Sequence, residues 1–127
     1  MTSVLIDSDV LIEVTRARNA RVLRDWEELS ISDTVILCSP VTVAELWHGA
    51  RPNEHTALRD LFSALVCAPI DQQTGQKAGE YLRLYSKSHN VELGDALIAA
   101  AAALHRARLW TCNRKHYPMK DIGFYGD

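Results

Sequence analysis

The stretch VLIDSDVLIE, residues 4–13, decides the fold. Its three apolar residues Val4 to Ile6 are followed at once by Asp7, and Asp9 lies two residues further on. A short β-branched apolar run predicts a buried strand, and the pattern after Asp7 predicts a helix over 8–16. A strand that passes directly into a helix is the unit from which α/β proteins with parallel sheets are built.

The rest of the chain repeats this alternation. Further strands are predicted at 35–38, 66–70 and 109–111, with a fifth at a sheet edge over 122–125. Helices are predicted over 20–29, 54–65, 74–88 and 95–106, and another begins at Ser39-Pro40 with a polar cap and a first-turn proline. The sequence therefore predicts a three-layer α/β/α fold with a central parallel sheet of four to five short strands. Chemistry is expected in the crevice at the carboxyl ends of those strands.

Length and composition indicate one globular unit. The chain has 127 residues, of which 47% are hydrophobic and 24% charged, so a single domain over 1–127 is expected. The net charge of −2 does not exclude a nucleic-acid partner, because local charge matters more than the total. Basic residues cluster in two places and either cover a phosphate backbone or form solvated faces: Arg16, Arg18, Arg21 and Arg24, and Arg106, Arg108, Arg114, Lys115 and Lys120.

The cysteines and the apolar runs bear on the compartment. Cys38, Cys67 and Cys112 include no CxxC pair and lie in or beside apolar runs, so buried free thiols in a reducing compartment are expected. No secretory pattern is visible at the start, and the longest apolar run, 96–104, is too short to span a bilayer. The expectation is a cytoplasmic protein without a membrane partner.

Asp7 is the first candidate site residue. A carboxylate directly after a buried strand is costly unless it is hydrogen-bonded, paired or bound to a metal ion. One interpretation is a metal ligand, and the other is a cap in which Asp7 or Ser8 accepts backbone N–H bonds of the next helix. The nearby Asp9 slightly favours a cation.

Glu45 is harder to interpret. On a helical wheel it lies nearly opposite the apolar face formed by Val43, Leu46, Trp47 and Ala50. Periodicity alone therefore favours a solvated glutamate. The same geometry leaves the side chain free to point into a cleft.

Asp95 begins an unusually apolar helix. An acid in the first turn is favoured by the helix dipole, which is a sufficient structural reason for it. The helix is apolar on almost every side, and Asp95 shares one stripe with Ala99, Ala102 and Arg106. A carboxylate on such a central helix is also a candidate for chemistry.

Three carboxylates from separate segments suit a hard divalent cation. If Asp7, Glu45 and Asp95 converge in one crevice, their oxygen atoms match the preferences of Mg²⁺ or Mn²⁺. Such an ion can lower the pKa of a water molecule and stabilise a phosphate under in-line attack. The histidines show no zinc-ligand spacing and are expected at the surface or in packing contacts: His48, His55, His89, His105 and His116.

Four strings resemble, in order and spacing, the motifs of PIN-domain ribonucleases. They are VLIDSDVLIE at 4–13, VTVAELWHGA at 41–50, VELGDALIAAAA at 91–102 and LWTCNRKHYP at 109–118. Within that family, the resemblance is to VapC-type toxins of toxin–antitoxin pairs. It covers nearly the whole chain.

The resemblance implies a PIN-like α/β fold and an endoribonuclease that uses Mg²⁺ or Mn²⁺ and an activated water to cut RNA, with transfer RNA as one candidate substrate. It also implies a homodimer and inhibition by a cognate VapB-type antitoxin. By position, Asp7 and Asp95 match the metal ligands. Glu45 matches the acid that positions the attacking water or a second ion.

The fourth string departs from the family pattern. Thr111, Asn113 and Tyr117 fit it, but His116 stands where the family often has an acid. This puts a complete two-metal site in doubt, and Asp9 or a water held by Asn113 is a candidate to fill the gap. Asn113 is included among the catalytic candidates. The candidate substrate-binding residues are Asp9, Thr111, Arg114 and Lys115.

Two other interpretations stay open. IDSDV resembles the nucleophile motif of haloacid-dehalogenase-type phosphatases, in which the first aspartate attacks phosphorus. A suitable second acid is lacking downstream, and the chain is short for that family. The other interpretation is an inactive PIN-like module that binds RNA or a protein.

Overall fold

The computed structural model describes residues 2–126. Its centre is one sheet of four parallel strands in the order β3-β2-β1-β4, where β1 is Ser3–Ile6, β2 is Val35–Cys38, β3 is Val66–Cys67 and β4 is Arg108–Trp110. The register pairs Leu5 with Leu37 on one side and with Leu109 on the other. The earliest strand of the chain is therefore central, which suits a strand of apolar residues without polar interruption.

Six helices surround the sheet: α1 Ser8–Arg16, α2 Ala20–Ser30, α3 Pro40–Gly49, α4 His55–Ser63, α5 Gln72–His89 and α6 Leu93–Leu104. The Ser39 side chain caps α3 by accepting from the Val41 amide, with Pro40 in the first turn, as the sequence predicts. A 3₁₀ turn at Pro52–Glu54 leads into α4.

Residues of β1 alternate between two cores. Leu5 packs with the alanines of α6 and with Ala78 and Tyr81 of α5. Val4 and Ile6 point to the opposite face, where residues of α1 to α4 enclose them. Helices thus cover both faces, and the three-layer α/β/α prediction is confirmed; the assignment of one domain to 1–127 stays a prediction.

Element boundaries differ from the sequence predictions at two strands. β3 ends at Cys67 rather than at residue 70, because Pro69 has no amide hydrogen for a ladder. At 122–125, Phe124 forms an isolated parallel bridge with Leu109, so the described chain has four strands and no fifth.

The prediction that all three cysteines are buried was wrong for two of them. Cys38 is buried, but Cys67 lies on the edge strand and Cys112 follows the end of β4, and both are exposed. All three are free thiols. Within residues 2–126, no helix is long and apolar enough to cross a membrane.

Candidate active site

Asp7 lies where β1 and β4 end side by side. Its amide donates to the Trp110 carbonyl at 2.9 Å, which fixes the turn from β1 into α1 against β4. The side chain is buried and accepts from the Ser8 amide at 2.8 Å through Oδ1, as an N-cap of α1. The capping interpretation of Asp7 is thus correct, but it accounts for one of its two oxygens.

The second oxygen of Asp7 is held by two hydroxyl groups. Oδ2 accepts from Thr111 at 2.9 Å and from Tyr117 at 2.8 Å. Burial, and then the charge of Asp7 and this hydrogen bond, raise the pKa of Tyr117, so the phenol stays protonated and donates. These bonds fix the carboxylate and leave a lone pair on Oδ1 for a further partner.

Asp9 lies beside Asp7 on the first turn of α1. It accepts from the Cys112 amide at 3.2 Å and lies 3.4 Å from the Thr111 hydroxyl. Burial and the charge of Asp7 raise the pKa of Asp9, while the hydrogen bonds lower it. Two carboxylates therefore share a half-buried region in which both cannot be charged without cost.

Glu45 is brought to the site by α3. The Ser8 hydroxyl donates to Glu45 Oε1 at 2.8 Å and lies 3.1 Å from the hydroxyl of the buried Thr42. Thr42 and Glu45 lie three residues apart on one side of α3 and face Ser8 of α1. Glu45 is thus solvent-exposed, as periodicity favours, and also held at the mouth of the crevice.

Asp95 enters from the N-terminal turn of α6. It forms a capping box in which the Glu92 amide donates to Oδ2 at 3.4 Å. Burial raises its pKa, and the charges of Asp7 and Glu92 add to that effect against the lowering by the Glu92 amide and His116. The effect of Asp7 on the pKa places the two acids in one electrostatic environment.

These acids line one cavity of about 750 Å³. Asp7, Asp9, Glu45, Asp95, Asn113 and Lys115 all contribute to its wall. The structure therefore brings together the three predicted carboxylates, although Asp7 comes from the turn between β1 and α1, Glu45 from α3 and Asp95 from α6. His116, which stands where the family often has an acid, also lines the cavity, as does Ser8. The structure adds residues that the sequence did not single out: Ile12, His89, Asn90, Glu92, Gly94 and Ile98.

Asn113 and His116 form one rim of the cavity. The side-chain nitrogen Nδ2 of Asn113 lies 3.1 Å from His116 Nε2, and His116 Nδ1 lies 3.9 Å from Asp95 Oδ1. The backbone amide of Asn113 donates to Thr111 Oγ1 at 3.0 Å. Asn113 thus connects the hydroxyl that holds Asp7 to the imidazole beside Asp95.

Two predicted substrate-binding residues have other contacts. Arg114 points away from the cavity: its guanidinium lies over Phe124, 4.8 Å from the ring centroid, and donates to the Tyr125 carbonyl at 3.3 Å. Thr111 is buried and binds the two aspartates. Of the four candidates, Asp9 and Lys115 face the cavity.

The site carries excess negative charge. Among residues 2–126, the ion pairs of Asp7, Asp9, Glu45 and Asp95 are limited to the 3.9 Å approach of His116 to Asp95. Oxygen donors with uncompensated charge fit Mg²⁺ or Mn²⁺. A metal site is not preformed here: in the described part of the chain, no three His, Cys, Asp or Glu side chains are arranged to hold an ion. An ion in this cavity would require rotation of side chains, and Glu45 is exposed and free to rotate.

Sequence reasoning missed the hydroxyl groups that position the acids. In the sequence, Ser8 resembles an ordinary helix cap and Thr42 an ordinary helix residue. Their hydroxyl groups meet in the structure although they are 34 residues apart in the chain. Tyr117 carried a signal, because it is an aromatic residue inside the fourth string. Its partner, Asp7, is 110 residues away.

A second, narrower groove adjoins this cavity. It measures about 230 Å³ and lies between α1, α3 and α4, where its apolar lining residues include Leu46, Ala57 and Leu58. Ile12 and Glu45 line both the groove and the acid-lined cavity, so the two adjoin at these residues.

Comparison with known proteins assigns the family. The family profile described as "PIN domain" matches residues 4–122, which is nearly the whole chain and includes all the acids above. The chain belongs to the PIN-domain family. Ribonuclease VapC10 of Mycobacterium tuberculosis is 37% identical to this PIN domain over 117 residues, which cover 91% of the chain and 86% of the relative. The predicted likeness to VapC proteins is confirmed.

Solved structures show the same fold. VapBC2 from Rickettsia felis, bound to a DNA fragment from its promoter, matches this PIN domain with a TM-score of 0.78 at 21% identity, over 97% of each chain. DNA-bound VapBC from Salmonella typhimurium matches with a TM-score of 0.79 at 18% identity, over 98% of this chain and 97% of that one. The predicted PIN-like fold is therefore confirmed.

Proposed function

We propose that this chain is the toxin of a type II toxin–antitoxin pair and cuts RNA as an endonuclease that depends on Mg²⁺ or Mn²⁺. The observation that carries the proposal is the single cavity onto which Asp7, Glu45 and Asp95 converge. Family membership and the 37% identity to a protein named as a ribonuclease support it.

Asp7 and Asp95 are the proposed metal ligands, with Glu45 as a third acid. When bound, the ion supplies an acidified water and neutralises charge that builds on the phosphate. Side chains of the protein position the acids. Thr111 and Tyr117 fix Asp7, and Ser8 holds Glu45 where its carboxylate can accept the proton of the attacking water.

Lys115 is the proposed contact for the RNA backbone. Lys115 lines the same cavity as five acids: Asp7, Asp9, Glu45, Glu92 and Asp95. A phosphodiester needs a cation on the rim to offset repulsion from those acids. Asn113 and His116 line the same cavity and are available to contact the RNA there.

The test is cleavage of RNA by the purified chain with added Mn²⁺ or Mg²⁺. Cleavage is expected to stop with EDTA and to fall by more than about a hundredfold in Asp95→Asn. Asp60→Asn, which removes an exposed carboxylate of α4, is the matched control and should cut at the wild-type rate. Cleavage that persists in EDTA or in Asp95→Asn would contradict the proposal.

Asp7→Asn is a less clean test of the same site. The two oxygens of Asp7 accept from the Ser8 amide and from two hydroxyl groups. In Asp7→Asn, the side-chain NH₂ group replaces one of these oxygens and therefore faces a hydrogen-bond donor instead of accepting from it. A lost hydrogen bond to a buried charged group costs about 1.5–3 kcal/mol. Loss of activity in this variant must therefore be read beside its unfolding curve.

The groove between α1, α3 and α4 is the proposed seat of a VapB-type antitoxin. Its apolar lining residues suit the apolar face of an amphipathic helix, and Glu45, which lines both the groove and the acid-lined cavity, suits a basic side chain of that helix. An occupant of that kind would cover the acids and block RNA. The solved VapBC complexes with this fold support such a partner.

A short reading frame upstream of this chain's gene would supply that antitoxin. Ala57→Arg fills the groove from the exposed face of α4 and is expected to weaken the complex about tenfold or more. Thr56→Arg, the neighbouring exposed residue, is the control. Equal antitoxin affinity in both variants would place the partner elsewhere while leaving the nuclease proposal intact.

The remaining expectations concern assembly and compartment. A homodimer is proposed from the family likeness, and exposed apolar residues such as Leu84 and Leu93 on the α5–α6 side offer surface for it. Light scattering on the purified chain measures this directly, and a monomer at all concentrations would contradict it. The cytoplasmic location stays a prediction.

The two rivals predict different outcomes in the same assays. An inactive binding module would retain RNA without cutting it at any metal concentration. A phosphatase would form a covalent phosphoenzyme on Asp7. That role is disfavoured by the three donors that occupy the Asp7 oxygens and limit their reach as a nucleophile.

A further inference from the structure

Cys38 and Cys67 face each other across the edge of the sheet. They are partners in the parallel register of β2 and β3, so their side chains project from the same face. The Ala68 amide donates to the Cys38 carbonyl at 2.8 Å and continues this pairing past the end of β3. Cys38 and Cys67 are therefore direct neighbours across the two strands.

The backbone spacing suits a covalent bond between them. Neighbouring strands lie about 4.8 Å apart, and disulfides join residues whose Cα atoms are roughly 4.4–6.8 Å apart. β3 is a two-residue edge strand, and Pro69 follows shortly after it. This short segment can adjust to the torsion angle of a disulfide more readily than a central strand.

The two thiols differ in access. Cys67 is exposed, whereas Cys38 is 1% exposed within the core between the sheet and α1 to α4. Burial raises the pKa of Cys38 to about 12, with a further contribution from Cys67. An oxidant in solution therefore meets Cys67 first, whereas Cys38 is shielded by the core from direct oxidation.

We propose that Cys38 and Cys67 form a reversible, peroxide-sensitive disulfide that ties the sheet edge to the strand leading into the active site. A peroxide oxidises the Cys67 thiol to a sulfenic acid as its O–O bond breaks and water leaves. The Cys38 sulfur then attacks the Cys67 sulfur, the S–O bond breaks, and the oxygen departs as water with the Cys38 proton. A thiol reductant restores both thiols.

The bond would form next to the catalytic machinery without using it. Cys38 is followed by Ser39, the cap of α3, and α3 carries Thr42 and Glu45. Cys112 is also exposed but lies at the far side of β1, beyond the end of β4. This makes Cys112 the internal control. The proposal is independent of the nuclease assignment, since it needs only the strand pairing.

The test treats the native, reduced full chain with hydrogen peroxide, blocks remaining thiols, and maps peptides without reduction. The expected product is an intramolecular Cys38–Cys67 linkage within one chain, whose mass falls by about 2 Da for the two hydrogens lost and is restored by dithiothreitol. Cys112→Ser should behave like the wild type. In Cys67→Ser, loss of the Cys38 thiol should slow by about tenfold or more.

Two results would overturn the proposal. In one, Cys67 of the wild type ends as a sulfinic acid or an intermolecular disulfide while Cys38 remains a thiol. In the other, Cys38 is oxidised as fast in Cys67→Ser as in the wild type. Cys67 is exposed at the sheet edge, so its serine variant keeps the fold, and the wild-type peptide map decides the matter without any variant at position 38.

Discussion

The hydroxyl of Tyr117 donates to Asp7 Oδ2 at 2.8 Å, across 110 residues of chain. It joins the last motif of the sequence to the first and, with Thr111, fixes the carboxylate at the ends of β1 and β4. Tyr117 is 3% exposed, so this bond is protected from water.

Tyr117→Phe should therefore destabilise the fold and weaken the site. The change leaves a buried carboxylate one donor short, which costs about 1.5–3 kcal/mol in the free energy of unfolding. Urea denaturation measures the loss, and Mn²⁺ titration should show weaker binding as Asp7 gains freedom. Tyr85→Phe is the control, and equal stability of the two variants would contradict the role given to this bond.

Ser8→Ala should impair the site with little effect on folding. It removes the donor that holds Glu45 Oε1 at 2.8 Å, and outer-shell partners of this kind are worth about 10–100-fold in metal affinity or activity. The measurements are RNA cleavage and the dissociation constant for Mn²⁺. Ser30→Ala, at an exposed position of α2, should leave both unchanged. Unaltered cleavage in Ser8→Ala would show that Glu45 needs no such support.

Asp95 should oppose folding at neutral pH when no metal is present. Its pKa is raised above the ordinary value of 3.8, so the folded state binds the proton more tightly than the unfolded state. The stability from that proton is present below about pH 3.8 and is lost as the pH rises through the raised pKa of the folded state.

Asp95→Asn should consequently melt about 1–3 °C above the wild type at pH 7 in EDTA. This advantage should shrink as the pH falls toward about 4, where the wild-type acid takes up its proton. Thermal unfolding at several pH values measures it, with Asp60→Asn as the reference. A lower melting temperature for Asp95→Asn at pH 7 would mean that this acid stabilises the apo fold.

Lys115 and Arg114 are adjacent but should behave differently. Lys115 lines the cavity, so Lys115→Ala should weaken RNA binding. The slope of the logarithm of the binding constant against the logarithm of the salt concentration should become shallower by about one, because one fewer counterion is released. Arg114 lies over Phe124, so Arg114→Ala should lower stability and leave the salt dependence unchanged. Binding measured over a range of salt concentrations distinguishes the two, and equal slopes would refute the assignment.

The strands and the three acids were predictable because their signals are local. Val4 to Ile6 is apolar without interruption, and an acid that follows such a strand must lie at its carboxyl end in a parallel sheet. The order of strands, β3-β2-β1-β4, was not predictable in the same way, because pairing depends on contacts far apart in the chain.

The supporting contacts were hidden for the same reason. Nothing local distinguishes Ser8, which holds Glu45, from an ordinary residue at the start of a helix. Nothing local separates Lys115, which faces the cavity, from Arg114, which packs on an aromatic ring. Cys67 lies in an apolar run and was expected to be buried. It is exposed because β3 is an edge strand of the sheet, and the sequence does not reveal which strand lies at the edge.

The most direct test of the central claim is an anomalous diffraction measurement on crystals of this chain soaked in Mn²⁺. A manganese peak is expected in the 750 Å³ cavity, in contact with carboxylate oxygens of Asp7 and Asp95 and near Glu45. A peak elsewhere, or an empty cavity in crystals whose protein cuts RNA with Mn²⁺ in solution, would contradict the claim.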